Sequence, residues 1–153
     1  MKQLTEEEAF ARLSALCAAA EHCAHELNEK MVRWQLDEDI RERIIQRLVS
    51  EHYIDERRYC RAFVADKLRY NKWGRRKIAQ ALAMKHLDRT LIGEAIDNID
   101  EEEYLSILAD VLSAKRKSIK ATNDYELHGK LMRFAIGRGF DMDEVRRFIE
   151  QND

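Results

Sequence analysis

Residues 71 to 82, NKWGRRKIAQAL, set four cations around one tryptophan and one glycine in a chain that carries a formal net charge of −2. Such a cluster can pair with carboxylates or phosphates, and arginine does so with a planar fork that matches both. Cations at a helix start oppose the helix dipole, by roughly a few tenths of a kcal/mol each. A purely structural design would avoid that cost, so the basic surface is read as a binding surface. Trp73 is read as structural, closing the preceding helix, and Gly74 as allowing the chain to reverse. The plain alternative is a solvated helix start.

Catalytic chemistry finds little support. His22, Cys23, His25 and Glu26 suggest a metal site, but they lack a second ligand pair at the spacing a structural zinc needs. Glu101, Glu102 and Glu103 read as the acidic start of a helix. There is no glycine-rich phosphate loop, no G-x-S-x-G and no H-E-x-x-H. The expectation is a protein that is not an enzyme and needs neither metal nor cofactor.

The balance of 27 cations against 29 anions hides segregation. Residues 1 to 54 carry 7 cations and 11 anions, residues 55 to 99 carry 11 and 6, and residues 100 to 153 carry 9 and 12. All 11 cations of the middle third lie between residues 57 and 89, opposed there only by Asp66 and Asp88.

The elements that must carry this surface are helical. The chain has no proline and five glycines, whereas hairpins and tight turns lean on both. Cys17, Cys23 and Cys60 are odd in number and lie in helical, partly apolar stretches, so reduced thiols are expected. No run of about 18 apolar residues could span a bilayer. The start, MKQLTEEEAF, is acidic where a leader would be basic. A chain that begins at Met1, stays in the cytoplasm and has no membrane partner is expected.

A repeat organises the helices. HELNEKMVRWQLDEDIRERIIQRL (25 to 48) aligns with RKIAQALAMKHLDRTLIGEAIDNI (76 to 99) at an offset of 51, and a third copy, ELHGKLMRFAIGRGFDMDEVRRFIE (126 to 150), follows at 53. Each copy reads as helix, turn, Asp N-cap, helix, with Asp37, Asp88 and Asp141 as caps. Gly137 and Gly139 suit the third turn, and His86 precedes the second. A further helix precedes each copy, and an aromatic residue recurs early in it as Phe10, Tyr59 and Tyr104. The fold class expected is all-α: three tandem three-helix repeats, 1–54, 55–99 and 100–153, forming an elongated, curved, solenoid-like molecule. Helices of about 15 residues are only ~22 Å long, so each repeat must borrow burial from its neighbours. KRKSIKATNDYELHG, 115 to 129, breaks the helical period and reads as a loop or frayed helix end, with Gly129 as a boundary.

The run LVSEHYIDERRYCRAFVADKLRYNKWGRRKIAQALAMKHLDRTLIGEAIDNID resembles the core signature of the RecX family of recombination regulators. YIDERRYCRAFV, WGRRKI, the Lys85-His86-Leu87 turn and the I-x-x-A-I helix occur in order, and the likeness continues through GRGFDMDEVRRFI. The helix start departs from a common family form, G-x-G-P-R-R-I, in having Arg75 where that form has proline, so it is expected to be less rigid.

The resemblance implies a monomer that binds the RecA recombinase filament, inserts along its groove and lowers its ATP turnover, strand exchange and filament stability. The cations expected to meet filament or DNA are Arg57, Arg58, Arg61, Lys67, Arg69, Lys72, Arg75, Arg76 and Lys77, not all on one face. Lys115, Arg116, Lys117 and Lys120 are expected to form a second, more mobile contact. Single- or double-stranded DNA is a further partner open to the basic middle repeat. Two other readings stand beside it: a helix-turn-helix DNA binder using Arg41, Arg43 and Arg47 or Arg146 and Arg147 on phosphates, and a repeat scaffold for an unrelated partner. Against the DNA reader, DRTLIGEAIDNI and DEDIRERIIQRL carry at least as many acids as bases.

Overall fold

A computed structural model describes residues 3–152 and contains nine α-helices and no strand among them. They run α1 Glu6–Ala19, α2 Ala24–Arg33, α3 Glu38–Ser50, α4 Glu56–Arg69, α5 Arg75–Met84, α6 Arg89–Asp97, α7 Glu101–Ser118, α8 Asp124–Gly137 and α9 Met142–Gln151. They fall into the triples α1–α3, α4–α6 and α7–α9. None of the described helices is long and apolar enough to cross a membrane.

The first helix of each triple is capped by its own side chain. Thr5, Asp55 and Asp100 accept from the N–H of the residue three further on, at 3.1, 3.0 and 2.9 Å. The third helices begin at the expected aspartates. Asp88 accepts from the Thr90 and Leu91 N–H groups at 2.8 and 3.4 Å, and Asp141 from that of Asp143 at 3.2 Å. Asp37 holds the same extended position without a capping hydrogen bond.

Between second and third helices every triple reverses in one way. Gln35, His86 and Gly139 take φ of 61°, 60° and 97°. The next residue's N–H then reaches five residues back, Leu36 to Met31, Leu87 to Leu82 and Phe140 to Ala135, at 3.1, 3.4 and 3.0 Å. That is a Schellman closure, sealed by apolar contact between the same pairs. Glycine would carry the positive φ at least cost, yet two of the three turns use a side chain, and His86 is the reversal residue itself.

Phe10, Leu13, Leu27, Met31, Ile44 and Leu48 form a core within the first triple. The second and third triples share one continuous core, which includes Tyr59, Leu82, Tyr104, Leu131 and Phe140. Cys23, at the start of α2, joins this second core and not its own. All three cysteines are free, Cys23 and Cys60 being buried. Burial pushes their thiols up, Cys60 to about 11, which keeps them protonated and unreactive.

The stretch 115 to 129 corrects the expectation of a loop. Lys115, Arg116 and Lys117 continue α7 to Ser118, Gly129 lies inside α8, and only 119–123 connects them. A basic last turn suits the carboxyl end of a helix dipole. The Lys115 ammonium also sits 4.6 Å from the centre of the Phe134 ring, tying the end of α7 to α8.

The second helices start differently from the others. Cys23 and Gly74 occupy the cap positions of α2 and α5 and give no side-chain capping hydrogen bond. The following triple supplies the partners instead. Gly74 N–H donates to the Arg138 carbonyl at 2.7 Å, Arg76 N–H to the Gly139 carbonyl at 3.1 Å, and Arg75 N–H to the Tyr104 hydroxyl at 3.1 Å. At the other joint, Ala24 N–H donates to Glu56 at 3.3 Å and the Tyr59 hydroxyl donates to Glu26. At the α8 start, by contrast, Asn123 caps its own helix by accepting from Glu126 N–H at 2.8 Å.

Two glycines make the joint between second and third triples possible. A Cβ on Gly74 would lie 2.4 Å from the Gly139 carbonyl carbon and oxygen, and one on Gly139 would lie 2.5 Å from Lys77 Cβ. Gly74→Ala is therefore expected to cost about 2–4 kcal/mol, through clash and loss of the cross-triple hydrogen bonds. Gly93→Ala, on α6 where an added Cβ meets nothing within 4 Å, is expected to stabilise by about 0.5–1 kcal/mol. Asn123→Ala is expected to cost about 1 kcal/mol. Urea unfolding of the three variants checks all three signs.

Candidate partner-binding surface

The thirteen cations expected at the surface divide by what they touch. Four arginines are held by acids of the same chain: Arg57 by Glu94 at 3.0 Å, Arg58 by Glu21 at 2.5 Å, Arg69 by Glu103 at 2.6 Å, and Arg75 by Glu101 at 2.6 Å and Glu144 at 3.5 Å. Arg58 bridges the first and second triples, while Arg69 and Arg75 bridge the second and third. The Arg75 guanidinium also lies 3.9 Å from the centre of the Tyr104 ring. The opposed dipole at this helix start is thus answered by two carboxylates and by carbonyls of the next triple.

Lys67 and Lys77 flank Trp73, 5.0 and 4.6 Å from the ring centre, and Lys67 also lies 5.4 Å from that of Phe63. The half-buried tryptophan packs against the shared core, and its backbone N–H donates to the Lys67 carbonyl at 3.0 Å, closing α4 as expected. Arg61, Lys72 and Arg76 are exposed and form no ion pair with the described residues. Arg116 and Lys117 end α7, and Lys120 lies in the connection to α8, its carbonyl accepting from Lys130 at 2.8 Å. The cluster at 72 to 77 is therefore split: Arg75 faces the joint, Lys77 clasps the tryptophan, and Lys72 and Arg76 face out.

His22, Cys23 and Glu26 belong to the joint between first and second triples. Glu26 accepts from the Tyr59 hydroxyl, from Lys85 at 3.2 Å and from Cys23 at 3.6 Å, and contacts His22 at 3.1 Å. His25 pairs with Glu29 at 3.1 Å and its ring lies 4.2 Å from that of His86. No group of three or more potential metal ligands occurs among the described residues.

The charges at the joints follow from burial and partners. Burial alone would raise Glu26, but hydrogen bonds from Tyr59, His22 and Lys85 outweigh it and hold the carboxyl below its ordinary value. Burial, then the hydrogen bond to Glu26 and that carboxylate's charge, push Tyr59 up. Burial carries Tyr104 to about 12, so its hydroxyl stays neutral and can accept from Arg75 N–H. Glu144 is raised by burial although Arg75 pulls it down. A clue to these joints was present in the recurring aromatics: the two that carry a hydroxyl, Tyr59 and Tyr104, each use it across the joint to the triple before.

The arginines that a helix-turn-helix reading would aim at phosphates on α3 are engaged inside the first triple. Arg41 donates to Asn28 at 3.0 Å and to the Leu36 carbonyl at 2.7 Å, Arg43 pairs with Glu6 at 2.8 Å, and Arg47 with Glu7 at 2.9 Å and Glu51 at 2.8 Å. On α9, Arg146 lies 3.6 Å from Asp143.

Known proteins match this arrangement. Residues 55–96 match the family model described as RecX, second three-helix domain, and residues 101–149 match that of RecX, third three-helix domain. Among curated relatives, the regulatory protein RecX of Acinetobacter baylyi is 33% identical over 90% of this chain and 83% of its own length. That of Clostridium beijerinckii is 28% identical over 82% of this chain, but the match spans only 59% of the relative. In structure, RecX from Lactobacillus salivarius superposes with a TM-score of 0.81 at 16% identity, covering 95% of each chain. Another crystal structure of a regulatory protein RecX gives 0.86 at 16%, covering 96% of this chain and 72% of that one. With two three-helix models matched in order and the structure helical from end to end of the described residues, this chain belongs to the RecX family.

Proposed function

We propose that this chain is a regulator of the RecA recombinase that binds its filament on DNA and slows ATP turnover, strand exchange and filament growth. The observation that carries the reading is membership of a family whose curated relatives are named regulatory proteins. A regulator of this kind acts by contact, in the cytoplasm, as a monomer of three repeats, 1–54, 55–99 and 100–153. The filament offers acidic protein surface and phosphate together, and both suit arginine and lysine.

The geometry narrows the contact within the basic middle repeat. Arg57, Arg58, Arg69 and Arg75 are bound to acids of the chain itself, so an incoming partner would have to displace those acids. Arg61, Lys72 and Arg76 need no such exchange and form the core of the proposed contact. Lys67 and Lys77 lie beside it over Trp73. Lys115, Arg116, Lys117 and Lys120 supply the second contact from the end of α7 and the connection after it. DNA within the filament can share this surface.

The test is the ATP turnover of RecA on single-stranded DNA as the protein is titrated in. Inhibition is expected, and the folded variant carrying Arg61→Glu, Lys72→Glu and Arg76→Glu together should need about tenfold more protein for the same effect. Equal inhibition by that variant would contradict the proposed surface. Tight binding to bare duplex with a steep salt slope and no effect on RecA would favour a DNA reader instead.

A further inference from the structure

The joints between triples contain a cleft that occurs twice, once with an arginine at the first position of the second helix and once with an alanine there. At the joint of second and third triples the cleft is about 330 Å³ and is lined by Arg75, Arg76, Ala79, Ile96 and Gly139, among others. At the joint of first and second triples a cleft of about 400 Å³ is lined by Ala24, His25, Asn28, Ile45 and His86, the residues at the same repeat positions, together with Glu56. Position for position, Arg75 of one joint is Ala24 of the other, each being the first residue of its helix. Glu101, which binds Arg75 at 2.6 Å, corresponds to Glu56, each following the aspartate cap of its triple.

At the joint of second and third triples the arginine in the wall is clamped on three sides, by Glu101, by Glu144 and by the Tyr104 ring. At the joint of first and second triples the carboxylate remains and the guanidinium does not. Glu56 is partly buried, accepts one hydrogen bond, from Ala24 N–H at 3.3 Å, and forms no ion pair with the described residues. The cations in the cleft wall are committed elsewhere: Lys85 binds Glu26 at 3.2 Å, and Arg41 is held by Asn28 and the Leu36 carbonyl. Glu42, also in the wall, is exposed and adds a second negative charge. Burial raises the Glu56 carboxyl, with only the Ala24 N–H drawing it down, as for an acid without a counter-charge.

We infer that the cleft between the first and second triples is a binding site for a guanidinium group, the arginine side chain of a partner protein, which enters where Ala24 leaves room and pairs with Glu56. The sister cleft shows the arrangement in place with the chain's own Arg75. A planar guanidinium fits because it can pair with carboxylate through its edge while its face lies on a ring, which an ammonium does less well. The site is distinct from the cationic surface of the middle repeat and does not depend on which partner that surface meets.

Two measurements on the full chain test it. The first is an amide NMR titration with Nα-acetylarginine amide, with the lysine analogue and inorganic phosphate as controls. Saturable shifts at Ala24, His25 and Glu56 are expected with the arginine probe, about tenfold weaker with the lysine analogue and in Glu56→Gln. The second is thermal unfolding of Ala24→Arg, which supplies the guanidinium from within. It should raise Tm by ~2–4 °C, lose the arginine-probe shifts, and give no rise in the Glu56→Gln background. Shifts with phosphate in place of arginine, equal response to both amino-acid probes, or a Tm rise for Ala24→Arg that survives Glu56→Gln would each overturn the assignment. Should Ala24→Arg fail to fold, the titration of the unaltered chain and of Glu56→Gln decides alone.

Discussion

An α-helix leaves the N–H groups of its first turn without partners, and burying them unpaired is costly. Much of this molecule's organisation answers that constraint at the second helix of each triple. Side chains of their own cap the first helices, and α8 has Asn123, whereas α2 and α5 open onto the triple that follows. At the α5 start, carbonyls and a tyrosine hydroxyl of the third triple take the free donors. Neither triple therefore completes its own hydrogen bonding at that joint, and the shared core of the last two triples continues the same dependence in apolar contact.

This alters what the basic helix start means. Read alone, Arg75, Arg76 and Lys77 oppose a dipole and suggest a partner outside the chain. In the fold, Arg75 is enclosed by Glu101, Glu144 and Tyr104, and the glycine before it is there because the backbone of Gly139 comes against it. One stretch serves two ends: its backbone and first arginine form the joint, and its neighbours Lys72 and Arg76 remain exposed. Part of the motif thus fixes how two triples meet, and the rest stays exposed.

The helical triples were legible because apolar period, aspartate caps and the 51- and 53-residue offsets are local signals carried by residue type. The turns were legible as turns, though not in kind: Gln35 and His86 take the left-handed φ that Gly139 takes, and only the repeat alignment hints that they must. The span 115 to 129 misled because a polar run at a helix end and a glycine within a helix look like a break, while the packing of Lys115 on Phe134 that extends α7 is non-local. The cations were found by counting, but their partners Glu21, Glu94, Glu101, Glu103 and Glu144 lie 26 to 69 residues away in sequence. No periodicity connects such pairs, so sequence could identify a basic repeat without separating its structural arginines from its exposed ones. The role of Glu26 was hidden for the same reason, its partner Tyr59 being on the next triple.

The claim on which the rest depends is that the α5 start is closed by the third triple, and native-state amide hydrogen exchange reads it directly. Amides of Gly74, Arg75 and Arg76 are predicted to be protected to a degree approaching that of Ile78 in the helix behind them, while those of Asp124 and Tyr125 at the α8 start exchange far faster. Exchange of Gly74, Arg75 and Arg76 as fast as at the α8 start, with Ile78 still protected, would contradict the account.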